Sequence, residues 1–377
     1  MHITLSVSGH GHHPAAWRVS ALARGPGRVP RYDALVRRAE EGKLDGVLFL
    51  PAPGGPERLM DGRSDAIQLD PMPLIGSLVA RTDRIGLGAS VYMAHTQPFH
   101  TARAFAVLDN LSSGRTAWVV DLEGQDQQEE DFGHAGPVPE RAARYQRAEE
   151  YIAVAGKLWD SWEDGAVVAD KASGIFADSS KIHPINHVGR HFSVRGPLTA
   201  IRPIQGHPVV IMRDCSPEGL RLAAASADVF LVDAMGSADV RRALREMAAS
   251  QGRAAGAPKI LLNISPLLDI SGQAARERAA ALDAMADPRM MPGLSSRFVG
   301  TPADFADHLA ALKAATGCDG FNILPAVLPD DAEQLVAEVL PLLRQRGLFR
   351  ASYAGRTLRE HLALPRPTSI FALQGAA

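Results

Sequence analysis

Eight short apolar runs, each parted from the next by a longer stretch, set the narrowest limit on what this chain can fold into. They read Ile3–Ser8, Gly46–Pro51, Ile85–Val91, Thr116–Asp121, Pro208–Arg213, Val229–Ala234, Lys259–Leu268 and Phe321–Ala326. Each is rich in Val, Ile or Leu and bounded by Gly, Pro, Asp or a loop, the pattern of parallel strands buried on both faces. The stretches between them carry helical periodicity. Tyr32–Lys43 sets Leu35, Val36 and Ala39 on one side, and Arg141–Trp159 repeats Tyr145, Ala148, Ile152, Ala155 and Trp159 at helical spacing. Pro73–Thr82, Ala102–Leu111, Pro217–Ala227, Ala238–Gln251, Pro302–Ala315 and Asp331–Arg346 complete the series. Thr301 before Pro302 reads as a cap followed by a first turn, and Asp331 as a cap for the last helix. Such alternation closes into a barrel or spreads into an open doubly wound sheet. No GxGxxG follows the first run, which removes the strongest sign of the open sheet. The expected fold class is therefore α/β, a (β/α)8 TIM barrel, with functional groups in the loops after the strand C-termini.

Two stretches break the rhythm. Residues 161–203, rich in Gly, Pro, His and aromatic side chains, read as an ordered insertion between strands 4 and 5, being too long for a structureless loop. Residues 355–377 read as a C-terminal arm on the surface or on a partner subunit, leaving 1–354 as a single barrel domain. A net charge of -2 offers no basic field for nucleic acid. Two cysteines, Cys215 and Cys318, fit a reducing compartment rather than a disulfide framework, and Cys215 reads as a small packing residue. With neither a signal-peptide pattern nor a membrane-length apolar run, the expectation is a cytoplasmic protein with no membrane partner.

Several segments carry more than a fold pattern: GHHPAAWR (Gly11–Arg18), the run Ile85–Arg115 containing VYMAHTQPFHTARAF, Arg144–Asp178 followed by HFSVRGPL, DGFNILP (Asp319–Pro325) and Leu343–Pro367. Together, in this order and over nearly the whole chain, they resemble the bacterial luciferase-like flavin-dependent monooxygenases. The branch is that of nitrilotriacetate monooxygenase component A, dibenzothiophene-sulfone monooxygenase and the streptogramin synthase large subunits. The resemblance implies a two-component system. A separate flavin reductase supplies reduced FMN, O2 is the co-substrate, and a small organic molecule is oxygenated. It also implies a homodimer or higher homo-oligomer.

Residue by residue, the resemblance assigns Ser216, in MRDCSPEG, to the phosphate loop; a plain helix cap accounts for it equally. Tyr145 matches a tyrosine that donates to the phosphate, against the plain reading of a half-buried helix aromatic. Ser90 falls near the flavin ring, or is a small packing residue in a strand. His12 and His13 fall where relatives place a histidine close to the reactive face. His13 is the candidate to stabilise or protonate the oxygen adduct, and a solvated His pair is the plain alternative.

Departures are as telling. The asparagine of the family's fourth strand is Val119 here, followed by Leu122 and Glu123, and an acid after the second strand is replaced by Ala52. A glycine of the fifth is Asp214, a negative charge where a phosphate would sit, with Arg213 and Arg141 as compensating cations. The segment Asp269–Val299, which helps to cover the site, is shorter than in relatives. These changes keep open a second function, a barrel with a degenerate flavin site that serves as a non-catalytic partner subunit or binds another ligand. No metal site is expected. His10, His12 and His13 lack further ligands, and Pro184 and Gly189 keep His183, His187 and His191 off one continuous helix.

Overall fold

The structure, a computed structural model, describes residues 1–23, 32–50, 69–93, 96–120, 122, 140–233, 236–253, 256–287 and 296–374. Eight parallel strands form the barrel: β1 (His2–Val7), β2 (Gly46–Phe49), β3 (Gly86–Val91), β4 (Thr116–Val120), β5 (Val209–Met212), β6 (Val229–Asp233), β7 (Lys259–Leu268) and β8 (Gly320–Ile323). They pair in chain order, and β8 pairs back to β1 with His2 opposite Gly320 and Thr4 opposite Asn322, so the sheet closes. The expected (β/α)8 barrel is what the chain forms. Helices follow each strand: α1 (Asp33–Glu41), α2 (Pro71–Leu78), α3 (Pro98–Leu111), α4 (Arg141–Asp160), α5 (Pro217–Ser226), α6 (Ser237–Ser250), α7 (Pro302–Thr316) and α8 (Asp330–Gln345).

Strand parity divides the core. Leu5, Phe49, Leu87, Trp118, Met212, Phe230, Leu262 and Phe321 point outward into the helices. Leu48, Ala117, Val119, Val209, Ile211, Val229, Leu231 and Leu261 point inward and fill the barrel. Other inward positions, Thr4 and Ser6 of β1, Asn263 of β7, Asn322 of β8 and Asp233 of β6, are polar instead. Asn322 accepts from Thr4 at 2.9 Å and Ser6 at 3.0 Å, donates to Asn263 at 2.9 Å, and Asn263 donates to Asp233 at 3.3 Å. The barrel interior thus has an apolar arc and a hydrogen-bonded polar arc, in which each named amide is satisfied.

Two expectations about helix ends meet different fates. Thr301 caps α7 in a reciprocal capping box with Asp304, behind Pro302 in the first turn. Asp331 is not a cap. It lies buried inside α8 and accepts from the Val327 amide at 2.7 Å and from Arg278 at 2.7 Å. Helix α8 also widens into a π turn over Leu335–Val339, just ahead of Pro341, whose missing N–H cannot serve the carbonyl one turn back.

The largest difference concerns residues 355–377, expected on the surface or on a partner. Leu358 and Leu362, on the short helix Leu358–His361 and the residue after it, pack under the barrel against the inward side chains of β2, β4, β5, β6 and β7. Without them the lowest inward layer would face water. Gly86 accommodates this close approach, since a Cβ there would collide with Leu358. Arg359 locks the plug by pairing with Asp228 at 2.7 Å, both groups buried, and by donating to the His207 carbonyl at 2.8 Å. The (i, i+4) spacing of Leu358 and Leu362 signals this face; the surrounding Pro and Gly residues masked it. Replacing Leu358 by Ala should cost about 2–4 kcal/mol in urea unfolding. The same truncation at Val188, 84% exposed on the insertion, should cost under about 0.5 kcal/mol.

Candidate active site

The loop after β1 reaches the barrel mouth by pairing with the loop after β8. His12 and His13 amides donate to the Pro325 and Ala326 carbonyls, and Leu328 donates to His10. Gly11 sits at φ +139°, and any side chain there would run into the Ala326 carbonyl. His12 Nδ1 faces the Pro325 carbonyl at 3.4 Å, which leaves Nε2 as an acceptor. Burial above all, with the charge of Arg213 adding to it, pulls the His12 pKa down to about 4, against the opposing hydrogen bond to Pro325. The imidazole is therefore neutral near pH 7. Arg213 continues the inward parity of Val209 and Ile211 at the end of β5, the strand opposite β1, so the two groups sense each other across the mouth.

Ser90 ends the inward series of β3 and stands in register with Val119 of β4, which is next to Ile211 of β5. Its hydroxyl is buried without a hydrogen-bond partner among the described residues. It lines a cavity of about 520 Å³ together with Met72, Val91, Tyr92, Thr96 and His100. That volume suits a small organic ligand of roughly 300–1,000 Å³ pockets. Val119 is wholly buried among the inward side chains of the barrel and offers no polar group. Nearby, the Tyr151 phenol is held by Thr96 at 2.7 Å and Thr101 at 2.5 Å. Thr96, His100 and Tyr151 were not singled out from sequence. For Thr96 and His100 the signal is polar side chains in the loop and helix immediately after β3; Tyr151, midway along α4, carries none of that kind.

Arg141, Tyr145 and Ser216 come together where α4 and α5 begin. Ser216 is the N-cap of α5, accepting from the Gly219 amide at 3.0 Å. Arg141 donates to the Tyr145 phenol at 3.4 Å and lies 3.5 Å from Asp214 and 3.6 Å from Glu218. Asp214 in turn accepts from both the amide and the hydroxyl of Ser216. Cys215, expected as a packing residue, is exposed, because the tight turn that aims Asp214 back onto Ser216 leaves it outside.

His13 stands apart from these groups. Its Nδ1 accepts from the Ala15 amide at 3.1 Å, and its Nε2 faces Asp283 at 3.0 Å. Asp283 belongs to the helix Gly272–Met285 and also takes Arg297 at 2.9 Å, from the strand Arg297–Gly300 that pairs with the far half of β7. The segment 269–299 therefore carries a helix and a strand, pinned to the β1 loop through His13. Ala52, Asp121, Glu123 and Ala234 lie outside the described residues.

The insertion, 161–203, forms two small hairpins, Val167–Asp170 with Ile175–Ala177 and His187–Val188 with Ser193–Val194. Glu150 of α4 anchors the second. It accepts from His187 at 3.0 Å and from the His191 and Phe192 amides at 2.9 Å each, and Gly189 leaves room that a Cβ would fill. His183 pairs with Glu163 at 2.6 Å. Among the described residues, no three His, Cys, Asp or Glu side chains converge as metal ligands. No helix among them is long and apolar enough to cross a membrane.

With this geometry in place, comparison with known proteins is informative. The family described as luciferase-like monooxygenase matches residues 11–320. The chain is 32% identical to N-acetyl-S-(2-succino)cysteine monooxygenase of Bacillus subtilis, covering 97% of each chain. It is 33% identical to nitrilotriacetate monooxygenase component A of Aminobacter aminovorans, covering 95% of each. Its fold matches the crystal structure of DmoA from Hyphomicrobium sulfonivorans with a TM-score of 0.85 at 25% identity, over 96% of this chain and 91% of that one.

The Glu150 anchor makes the insertion sensitive to acid. Burial alone would raise this carboxyl, but His187 and the two backbone amides hold it at about 2, below the ordinary 4.5. A depressed folded pKa contributes stability that is present above 4.5 and lost as pH falls towards 2. The protection of the His191 and Phe192 amides against hydrogen exchange, relative to free amides at the same pH, should therefore fall across that window, and Glu150→Gln should lower it already at neutral pH.

Proposed function

The chain belongs to the luciferase-like monooxygenase family, and on that premise we propose that it is the oxygenating half of a two-component system. In this reading a separate flavin reductase supplies a reduced flavin, FMN in the form the resemblance implies, and O2 is the co-substrate. The substrate is a small organic molecule, as the relatives' names indicate for them. The observation that carries the reading is the buried Ser90 hydroxyl without a partner, facing a largely apolar cavity above the strand C-termini. A buried hydroxyl left unpaired costs about 1–3 kcal/mol, a cost that a ligand hydrogen bond would remove. The ring end of the site thus suits a flavin, which when bound supplies the electrons that activate O2.

The protein's own groups take the remaining roles. Ser90 offers a hydrogen bond to the ring, while Met72, Val91 and Ala104 give it a dry wall and keep water from the reacting face. Arg213 offers positive charge to an anionic ligand in the mouth. His12, neutral at working pH, accepts a hydrogen bond there through Nε2. His13, with both ring nitrogens engaged, acts through position, tying the β1 loop to the helix Gly272–Met285. Arg141, Tyr145 and Ser216 gather at the end where the resemblance puts a phosphate. That end does not fit a phosphate as it stands, because Asp214 occupies its donors. Exposed Val167, Val168, Ile175 and Phe176 on one hairpin of the insertion suit the homo-oligomer that the resemblance implies.

The rival reading, a barrel that has lost flavin and serves as a partner subunit, draws its support from that same Asp214. An anaerobic titration with photoreduced flavin followed by an oxygen pulse separates the two. Saturable binding and reoxidation slower than that of free flavin are expected; no binding of either oxidised or reduced flavin would sink the monooxygenase reading. Ser90→Ala should raise the stability of the ligand-free protein by about 1 kcal/mol while weakening flavin binding. A stability gain with unchanged flavin affinity would remove Ser90 from the site.

A further inference from the structure

The cradle between α4 and α5 is filled by the chain itself. Asp214 Oδ1 accepts from the Ser216 amide at 2.8 Å, and Oδ2 accepts from the Ser216 hydroxyl at 3.0 Å. Arg141 Nη2 lies 3.5 Å from the same Oδ2. Gly219, in the first turn of α5, lets the carboxylate lie directly against the helix, since a Cβ there would collide with the Asp214 carbonyl and carboxylate. An amide, a hydroxyl and a guanidinium converging at the start of a ten-residue helix form a donor set for an oxyanion. Asp214 takes the amide and the hydroxyl by hydrogen bonds and stands at ion-pair distance from the guanidinium. Glu218 adds a second carboxylate, 3.6 Å from Arg141 Nε. Two carboxylates therefore already compete for the Arg141 guanidinium before any ligand arrives. A dianion entering here would have to displace Asp214 and then sit beside both acids, against like-charge repulsion.

We propose that Asp214 is a built-in substitute for a phosphate and sets the flavin specificity of this chain. The 5′-phosphate goes unrecognised, the flavin is held by its ring and ribityl chain, and riboflavin is accepted at least as well as FMN. The inference rests on the flavin reading above. It differs from loss of function, because the ring end, with its cavity and the Ser90 hydroxyl, lies on β3 and owes nothing to Asp214.

The test uses the full chain, Asp214→Gly and, should the glycine loosen the turn, Asp214→Ala. Thermal melts are recorded in about 10 mM inorganic phosphate against chloride of equal ionic strength, which reads anion binding without any flavin. The unaltered protein should show no phosphate-specific shift, and the variants should melt several degrees higher in phosphate. Anaerobic titrations with photoreduced riboflavin and FMN follow. The unaltered protein should bind riboflavin as tightly as FMN or more tightly, and the variants should favour FMN by about tenfold. Equal phosphate protection of all the proteins, or FMN bound about tenfold tighter than riboflavin by the unaltered chain, would overturn the proposal. Failure of both flavins to bind any of them would overturn the flavin reading and the specificity claim with it. The phosphate melts would still report separately whether Asp214 fills the cradle.

Discussion

Closing eight parallel strands on themselves forces β1 to find β8 across some 318 residues of sequence, and the remaining features of the molecule answer to that closure. Once the ring is shut, each strand presents one set of side chains to the helices and the other to a narrow interior that must be filled. The outward set is largely apolar. The inward set is split between an apolar cluster, from Leu48 to Leu261, and a polar chain in which Asn322 and Asn263 join β1, β8, β7 and the end of β6 by side-chain hydrogen bonds. The same alternation that buries Val119 and Ile211 brings Ser90 and Arg213 to the mouth on the next inward step. The site is therefore a continuation of the core packing rather than an addition to it.

The two ends of that site are managed in opposite ways. Beneath the cavity a hydroxyl is left without a partner, and between α4 and α5 the available donors are satisfied in advance by Asp214. An unsatisfied group is a standing cost that a ligand can relieve, while a satisfied one is a barrier that a ligand must break. The barrel is thus open to a ligand at one end and closed to an anion at the other. This division also explains why the loss of a glycine at this turn need not mean the loss of the whole site.

Much of the fold was legible because strands buried on both faces leave continuous apolar runs, and all eight runs fall on barrel strands. Helix existence was legible too, from periodicity and from Thr301-Pro302. What sequence could not supply was direction. It paired His12 with His13 but could not say which ring faces the mouth, since that depends on the Gly11 turn and on the Ala15 amide that occupies His13 Nδ1. It placed Asp331 at a helix start, where a carboxylate is common, but not its burial against Val327 and Arg278. It marked Asp214 as a charge near a phosphate position, but whether that charge would repel or replace an anion is a matter of ångströms. Residues 355–377 misled most, because Pro and Gly spell surface when their neighbours in space are unknown.

That C-terminal plug also bears on the order in which the molecule can be made. Leu358 and Leu362 follow the last barrel strand in sequence, yet they cover inward side chains contributed by β2, β4, β5, β6 and β7. While the chain emerges from the ribosome, the early strands must wait with an unpaired edge and an uncovered floor until more than three hundred residues have followed them. This stretch, made after every barrel strand, is thus a gatekeeper of completion. A message truncated shortly before it would yield a ring of strands without a base, open to water from below and exposed to the proteases and chaperones that recognise unfinished chains.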